Sequence, residues 1–172
     1  MITKSTLKTS LLISALALTL TACGFHLRGN IPLPDGIKNM FVQAPQGTFK
    51  DTLEDVLTNA GGNIQASRGG GDVVLVVQQA QSDRTIGTLD DRGKVNSYNL
   101  IFTVKYVLTD REGKQLRTAT LQESRRYNFN PEQVIESESE EADLLSDMEQ
   151  DIALRVVRQL STVTDLDYEG DS

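Results

Sequence analysis

The sequence predicts an α+β domain: a four-stranded, mixed and largely antiparallel sheet with two helices packed on one face. Three observations predict it. The segment Val95–Thr109 alternates apolar and polar residues at the two-residue period of a half-buried strand. Two other segments, Phe49–Ala60 and Leu145–Leu160, carry apolar residues three and four apart, which places them on one helical face each. The element order is strand, helix, three strands, helix. A helix between the first two strands allows them to lie parallel, while tight turns join the later ones as hairpins.

The elements follow in order. Asn39–Ala44, with Met40, Phe41 and Val42, reads as a short strand ended by Pro45-Gln46-Gly47. Thr48 opens the first helix, with Asp51 three residues on as a capping arrangement, and Gly61-Gly62 closes it. The second strand starts at Asp72 and runs through Val73–Val77 to Leu89. Its first half is apolar on both sides, which predicts a place in the middle of the sheet. In the third strand Tyr98, Leu100, Phe102, Val104, Tyr106 and Leu108 share the buried face, with Asn99, Thr103 and Lys105 opposite. The fourth, Lys114–Asn128, is more polar. The turns Asp90–Lys94 and Asp110–Lys114 both end in Gly-Lys, and glycine provides the positive φ of a tight hairpin. Asn130-Pro131 stops the sheet. A helix then runs from Glu132 to about Leu160, with the stripe Leu145, Met148, Ile152, Val156, Leu160, flanked by Leu144, Leu154 and Val157.

The chain's start is a different kind of segment. Lys4 and Lys8 precede an uncharged stretch whose apolar core runs from Leu11 to Leu20. That is the pattern of an export signal, and it is too short for a stable membrane span of about 20 apolar residues. It ends in Leu20-Thr21-Ala22-Cys23, which resembles the lipobox of bacterial lipoproteins. The resemblance implies cleavage between Ala22 and Cys23, a diacylglycerol thioether on Cys23 and acylation of its new amine, palmitate included. Cys23 is the sole cysteine, so no internal disulfide forms, and lipidation accounts for a lone cysteine in an exported chain. In the lipoproteins it resembles, an Asp directly after the Cys tends to retain the protein in the inner membrane, so Gly24 at that position implies the outer membrane. The expected organisation is a signal over 1–22, a lipidated linker rich in Gly and Pro over 23–38, one α+β domain over 39–164 and a mobile acidic tail over 165–172.

Charge and residue usage exclude much. Without the two signal lysines there are 15 basic and 24 acidic residues, a net −9. From Glu132 onward only Arg155 and Arg158 offset 13 acids, whereas Cys23–Pro131 is near balance. Nucleic acid is not an expected partner, because phosphate backbones need a basic face. The single histidine, His26, lies in the linker, where it cannot serve a Ser–His–Asp triad. Metal sites lack their His and Cys ligands, and the acidic run Glu136–Asp143 reads as a solvated helix start. Gly69-Gly70-Gly71 has no Gly-Lys-Ser/Thr after it and leads into a strand, so it reads as a flexible connection and not as a phosphate loop. The expectation is a protein that is not an enzyme, with no cofactor beyond the covalent lipid.

Cys23-Gly24-Phe25-His26-Leu27-Arg28 resembles the start of the mature LptE lipoproteins, which carry Cys-Gly-aromatic-His-Leu-Arg there. All six positions match, and the order of strands and helices agrees along nearly the whole mature chain. The resemblance implies an outer-membrane, periplasm-facing lipoprotein that binds and plugs the LptD β-barrel. It would assist the barrel's assembly and the insertion of lipopolysaccharide into the outer leaflet. It also implies lipopolysaccharide binding by basic residues near the sheet, here Arg92 and Lys94 in the hairpin turn, whose plain alternative is two solvated turn charges. If the turn does not bind, the sheet around Lys105, Arg117 and Arg125 is the next surface to consider. Where the family can carry a basic residue after the Asn-Pro, this chain has Ser137 inside an acidic run. Two other functions fit parts of the sequence: an unrelated outer-membrane lipoprotein adaptor in barrel assembly or envelope maintenance, and a small envelope hydrolase. The segment after Cys23 argues against the first and the lone, badly placed histidine against the second.

Overall fold

Five strands, not four, form the sheet. They are β1 (Asn39–Gln43), β2 (Asn63–Ile64), β3 (Val73–Leu89), β4 (Val95–Asp110) and β5 (Gln115–Asn128), in the order β2-β1-β3-β4-β5. The computed structural model describes residues 31–163. The expectations for the signal, the lipid site at Ala22 and Cys23, His26 and the acidic tail concern residues outside that range. The added strand is β2. It pairs parallel to β1 through only Asn63 and Ile64, directly after the Gly61-Gly62 helix stop. Two residues cannot display an alternating pattern, so sequence periodicity has nothing to detect there.

The rest of the sheet has the expected form. β1 and β3 are parallel, joined through helix α1 (Thr48–Asn59), and β3, β4 and β5 are an antiparallel meander. β3 is central, and Val73, Val74, Leu75 and Val77 are all buried in its first half. Leu100, Phe102, Val104, Tyr106 and Leu108 of β4 are buried, as their alternation predicts. A second helix, α2 (Val134–Leu160), runs the length of the sheet. Its stripe Met148, Ile152, Val156 and Leu160 is buried, joined by Ala153 and Val157. Leu145 is only partly buried, and Leu154 faces solvent. Phe49 of α1 meets Phe102 edge-on with ring centroids 5.4 Å apart, so both helices contribute to one core. That core reaches into the stretch expected to be linker: Leu33 and Ile37 are buried, and the Leu33 amide donates to the Ala60 carbonyl.

The start of α1 differs from expectation. Its cap residue is Gly47, and no side chain caps it. The Thr48 hydroxyl instead donates to Glu149 Oε1 of α2 at 2.9 Å, tying the two helices together. Glu149 is buried, and that burial raises its pKa above the ordinary carboxylate value, with the Thr48 hydrogen bond opposing the rise.

β3 alone is 17 residues, on the order of 50 Å at a strand's rise. The molecule therefore has two distinct ends. The near end holds residues 31–38, β1, β2, the start of β3 and the Asp110–Lys114 turn. The far end holds the Asp90–Lys94 turn, the end of β5 and the first turns of α2.

Candidate functional site

The far end gathers the residues singled out for binding. The Asp90–Lys94 turn is closed by the Asp90 amide donating to the Lys94 carbonyl (2.7 Å) and the Gly93 amide to the Asp90 carbonyl (2.9 Å). Gly93 has φ +76°, the left-handed conformation that a side chain would strain. Asp90 Oδ1 accepts from the backbone amides of Arg92 (2.9 Å) and Lys94 (2.8 Å). Its carboxylate thus stabilises the turn through the backbone. The side chains of Arg92 and Lys94 make no ion pair among the described residues, and both residues are exposed. The sequence left open whether Asp90 and Asp91 would pair with these cations. In the structure the cations stand free at the tip.

Behind the tip lies an open cleft of about 600 Å³ between the ends of β4 and β5 and the first turns of α2. It is lined by Asp90 and Lys94 of the turn, by Asn96, Asn128 and Phe129 at the strand ends, and by Glu136 and Glu140 of α2. Carboxylates outnumber Lys94, the one lysine lining the cleft, so the cleft itself repels phosphate, and Arg92, which does not line it, is the cation placed clear of those carboxylates.

A cluster that the sequence reading missed holds α2 over this end. Arg84 of β3 donates to Glu141 Oε2 of α2 at 2.8 Å, and the Tyr127 hydroxyl of β5 donates to the same oxygen. The Arg84 guanidinium also lies 4.6 Å from the centre of the Tyr98 ring, which packs against Tyr127 and Phe129. Hydrogen bonds to Tyr127 and Glu141 raise the arginine's pKa, and burial raises that of Tyr127. The only sequence signal was an arginine and two tyrosines on the apolar face of their strands. That Glu141 would meet them depends on the angle at which α2 crosses the sheet, which no local pattern encodes. Further along, Glu123 pairs with Arg125 (2.8 Å) and Arg155 (3.0 Å), and Arg125 with Asp151 (2.5 Å).

The fallback surface does not form. The ladder puts Arg117 opposite Leu108 and Arg125 opposite Leu100, on the helix-covered face. Lys105 lies between Val104 and Tyr106 on the open face. Strand alternation separates the three cations, and Arg125 is already engaged. In the acidic run at the start of α2, Glu136, Glu138, Glu140 and Asp143 are exposed while Glu141 turns onto Arg84 and Tyr127, and no group of acids and histidines among the described residues has metal-ligand geometry.

Comparison with known proteins places this architecture. The family model LptE, lipopolysaccharide-assembly, matches residues 37–160. A solution structure of lipoprotein B from Nitrosomonas europaea is similar at a TM-score of 0.67 and 23% identity, covering 86% of this chain and 94% of that one. A minor lipoprotein from Acinetobacter baumannii is similar at 0.61 and 24%, covering 76% and 93%. The rare lipoprotein B from Shewanella oneidensis is similar at 0.64 and 19%, covering 76% and 99%. These likenesses, all below 25% identity, speak to the fold. Among curated proteins no sequence matches this chain.

Proposed function

Because the chain belongs to the LptE lipopolysaccharide-assembly family, we propose that it is the lipid-anchored partner and lumen plug of the LptD outer-membrane β-barrel. In this role it assists the barrel's assembly and the insertion of lipopolysaccharide into the outer leaflet. The observation that carries this reading is the family match over residues 37–160, which spans both helices and all five strands. The lipobox around Cys23 supports the anchor: its acyl chains would hold the protein at the membrane and raise its effective concentration near a barrel in the same membrane. A long body with charged and amide side chains on its exposed surfaces suits a polar barrel interior.

Within this role the Arg92 and Lys94 side chains are the proposed contact for lipid A phosphates. Arg binds phosphate through two parallel hydrogen bonds and Lys through a compact charge. The role needs positioning and binding, which the fold supplies without a catalytic group. The organisation proposed for the rest is a signal over residues 1–22, removed before Cys23, and a short tether leading to the folded body.

The test is extraction of the full chain from envelopes in mild detergent. A large β-barrel should accompany it in stoichiometric amount. Recovery of the lipidated chain without any barrel would defeat the reading. Cys23→Ser separately tests the anchor: the precursor should accumulate at its unprocessed size, and normal maturation would remove the lipoprotein assignment.

A further inference from the structure

The near end carries a pair of arginines that the family role leaves unused. Gly69-Gly70-Gly71, expected to be a flexible connection, is ordered in part: Arg68–Gly70 is a short 3-10 turn closed by the Gly70 amide on the Ser67 carbonyl. It lies beside the first residues of β3, where Gly71 is confined: a Cβ there would come within 2.9 Å of the Phe41 amide nitrogen. Arg68 and Gly69 of this turn, Val74 of β3 and Arg111 of the β4–β5 turn line a single open pocket of about 360 Å³.

The two arginines differ in a useful way. Arg111 is held in place: its Nε donates to the Gly71 carbonyl at 2.8 Å and its Nη2 to Asp72 Oδ1 at 2.7 Å. A guanidinium has five N–H donors, so most of its donors stay free while its position is fixed. Arg68 is exposed and makes no ion pair among the described residues. Val74 provides an apolar floor. Neighbouring acids are occupied: Asp35 with Lys38, Asp72 with Arg111 and Asn39, and Asp110 with the Lys114 amide. Glu112, in the same turn as Arg111, makes no ion pair among the described residues and weakens the field. The acidic start of α2 is at the other end of the sheet, several Debye lengths away. One held guanidinium and one free guanidinium over an apolar floor suit a tetrahedral phosphate with an attached glycerol.

The near end is also where the chain leads back toward Cys23. Leu33 is bonded to Ala60 beside β2, two strands from β3, or roughly 10 Å. Seven residues lie between Cys23 and Ile31, a reach of under about 30 Å fully extended. We propose that Arg68 and Arg111 form a phosphate pocket that seats the tethered end on the headgroup of an anionic phospholipid. The choice of a lipid over a free phosphate rests on the lipid-anchor reading above.

The test uses the chain from Gly24 to Ser172, which keeps every described residue and lacks the acylation site. It should bind vesicles of phosphatidylcholine containing phosphatidylglycerol and leave pure phosphatidylcholine vesicles unbound. Arg68→Gln should weaken the binding about fivefold, the loss expected for one cation near an anionic surface. Because Arg68 makes no hydrogen bond or ion pair among the described residues, the melting temperature of this variant should not move. Arg111→Gln should weaken binding at least as much, while Arg92→Gln with Lys94→Gln, at the far end, should leave it unchanged. Inorganic phosphate should displace the vesicles better than chloride at equal ionic strength. Unchanged binding by Arg68→Gln, equal binding to neutral vesicles, or a loss seen only with the far-end pair would each overturn the proposal. A wrong lipid-anchor reading would show instead as normal maturation of Cys23→Ser in the full chain, an outcome independent of vesicle binding.

Discussion

Between Val73 and Val77 the central strand is buried but for Val76, whereas between Gln81 and Leu89 the same strand lies open to solvent on both faces except at Gly87. α1 packs over the near half of the sheet, and α2 runs along β4 and β5. The near half therefore carries the packed core, with Leu53, Leu57, Leu75, Leu108, Ile152 and Leu160 all fully buried. The far half is held by polar contacts at its edge, namely Arg84 and Tyr127 on Glu141, and the Asn130 amide on Ser137 Oγ. Ile86 and Leu89 are more than half exposed there, and Ile135 is 81% exposed. Apolar burial is the main source of stability, so the near half sets whether the chain folds. The far half is left free to present charges, and its local stability is the lower of the two.

The largest effect should come from the core. Ile152→Ala should cost about 2–5 kcal/mol, the range for removing a large aliphatic from a close-packed interior, and Ile152→Asp should prevent folding. Leu145→Asp, two helical stripe positions nearer the far end, should be tolerated much better, because Leu145 is only partly buried. Thermal melting of the two aspartate variants decides it. Equal losses would mean that the far half is packed as tightly as the near half, and the contrast between the ends would fail.

Breaking the far-end cluster should be the next largest. Glu141→Gln removes the charge that Arg84 and Tyr127 converge on, and it should cost about 1 kcal/mol of global stability. Amide hydrogen exchange should show the loss unevenly, with residues 134–144 exchanging faster and residues 148–160 unchanged. Uniform acceleration along α2 would show that the helix opens as one unit.

This contrast also explains what could be read from sequence. The near half follows rules of burial, and burial leaves a periodic trace. β4 was legible to within a residue, and the Met148–Leu160 stripe was legible because every fourth or third residue must be apolar there. Both hairpin turns were legible because Gly93 and Gly113 need a positive φ. β2 was not, being two residues long. The capping role expected of Thr48 failed because a tertiary partner, Glu149, took its hydroxyl. Leu33 and Ile37 were hidden among prolines and glycines that suggest a linker, although both are fully apolar anchors. At the candidate site the identity of the exposed cations was legible, but their freedom was not. It depended on Asp90 turning its carboxylate toward the backbone amides.

Glu149 offers a finer test at the seam between the halves. Burial raises its pKa, so the folded protein holds this proton more tightly than the unfolded chain does. Its contribution is then fully present at pH below the unfolded value and is lost as pH rises through the folded value. At neutral pH the charged carboxylate is a net cost. Glu149→Gln, whose amide oxygen can still accept from Thr48, should raise the melting temperature at pH 7. The gain should disappear as the pH falls below the ordinary value of 4.5. A constant difference across the pH range would mean that the substitution acts through packing instead of charge.

The smallest effect on the fold should come from Arg92→Glu combined with Lys94→Glu, and here the contrast between the ends is sharpest. Both side chains are exposed and unpaired among the described residues, and the turn's own hydrogen bonds use only their backbone atoms. Surface changes of this kind stay within about 0.5 kcal/mol, so melting should be unchanged. Binding is another matter. If the tip meets lipid A phosphates, reversing two charges replaces attraction with repulsion at contact distance, beside a cleft already lined by Asp90, Glu136 and Glu140. Lipopolysaccharide binding by the chain from Gly24 should then fall steeply, and binding by the unaltered chain should weaken as salt is added. Co-purification of the full chain with the proposed barrel partner should survive, because a plug would make that contact with its whole body. A double variant that folds normally and binds lipopolysaccharide as before would reduce Arg92 and Lys94 to solvated turn charges. Arg117 and Arg125 could not take over together with Lys105, since the sheet places them on opposite faces. The ligand would then have to meet the protein away from this end.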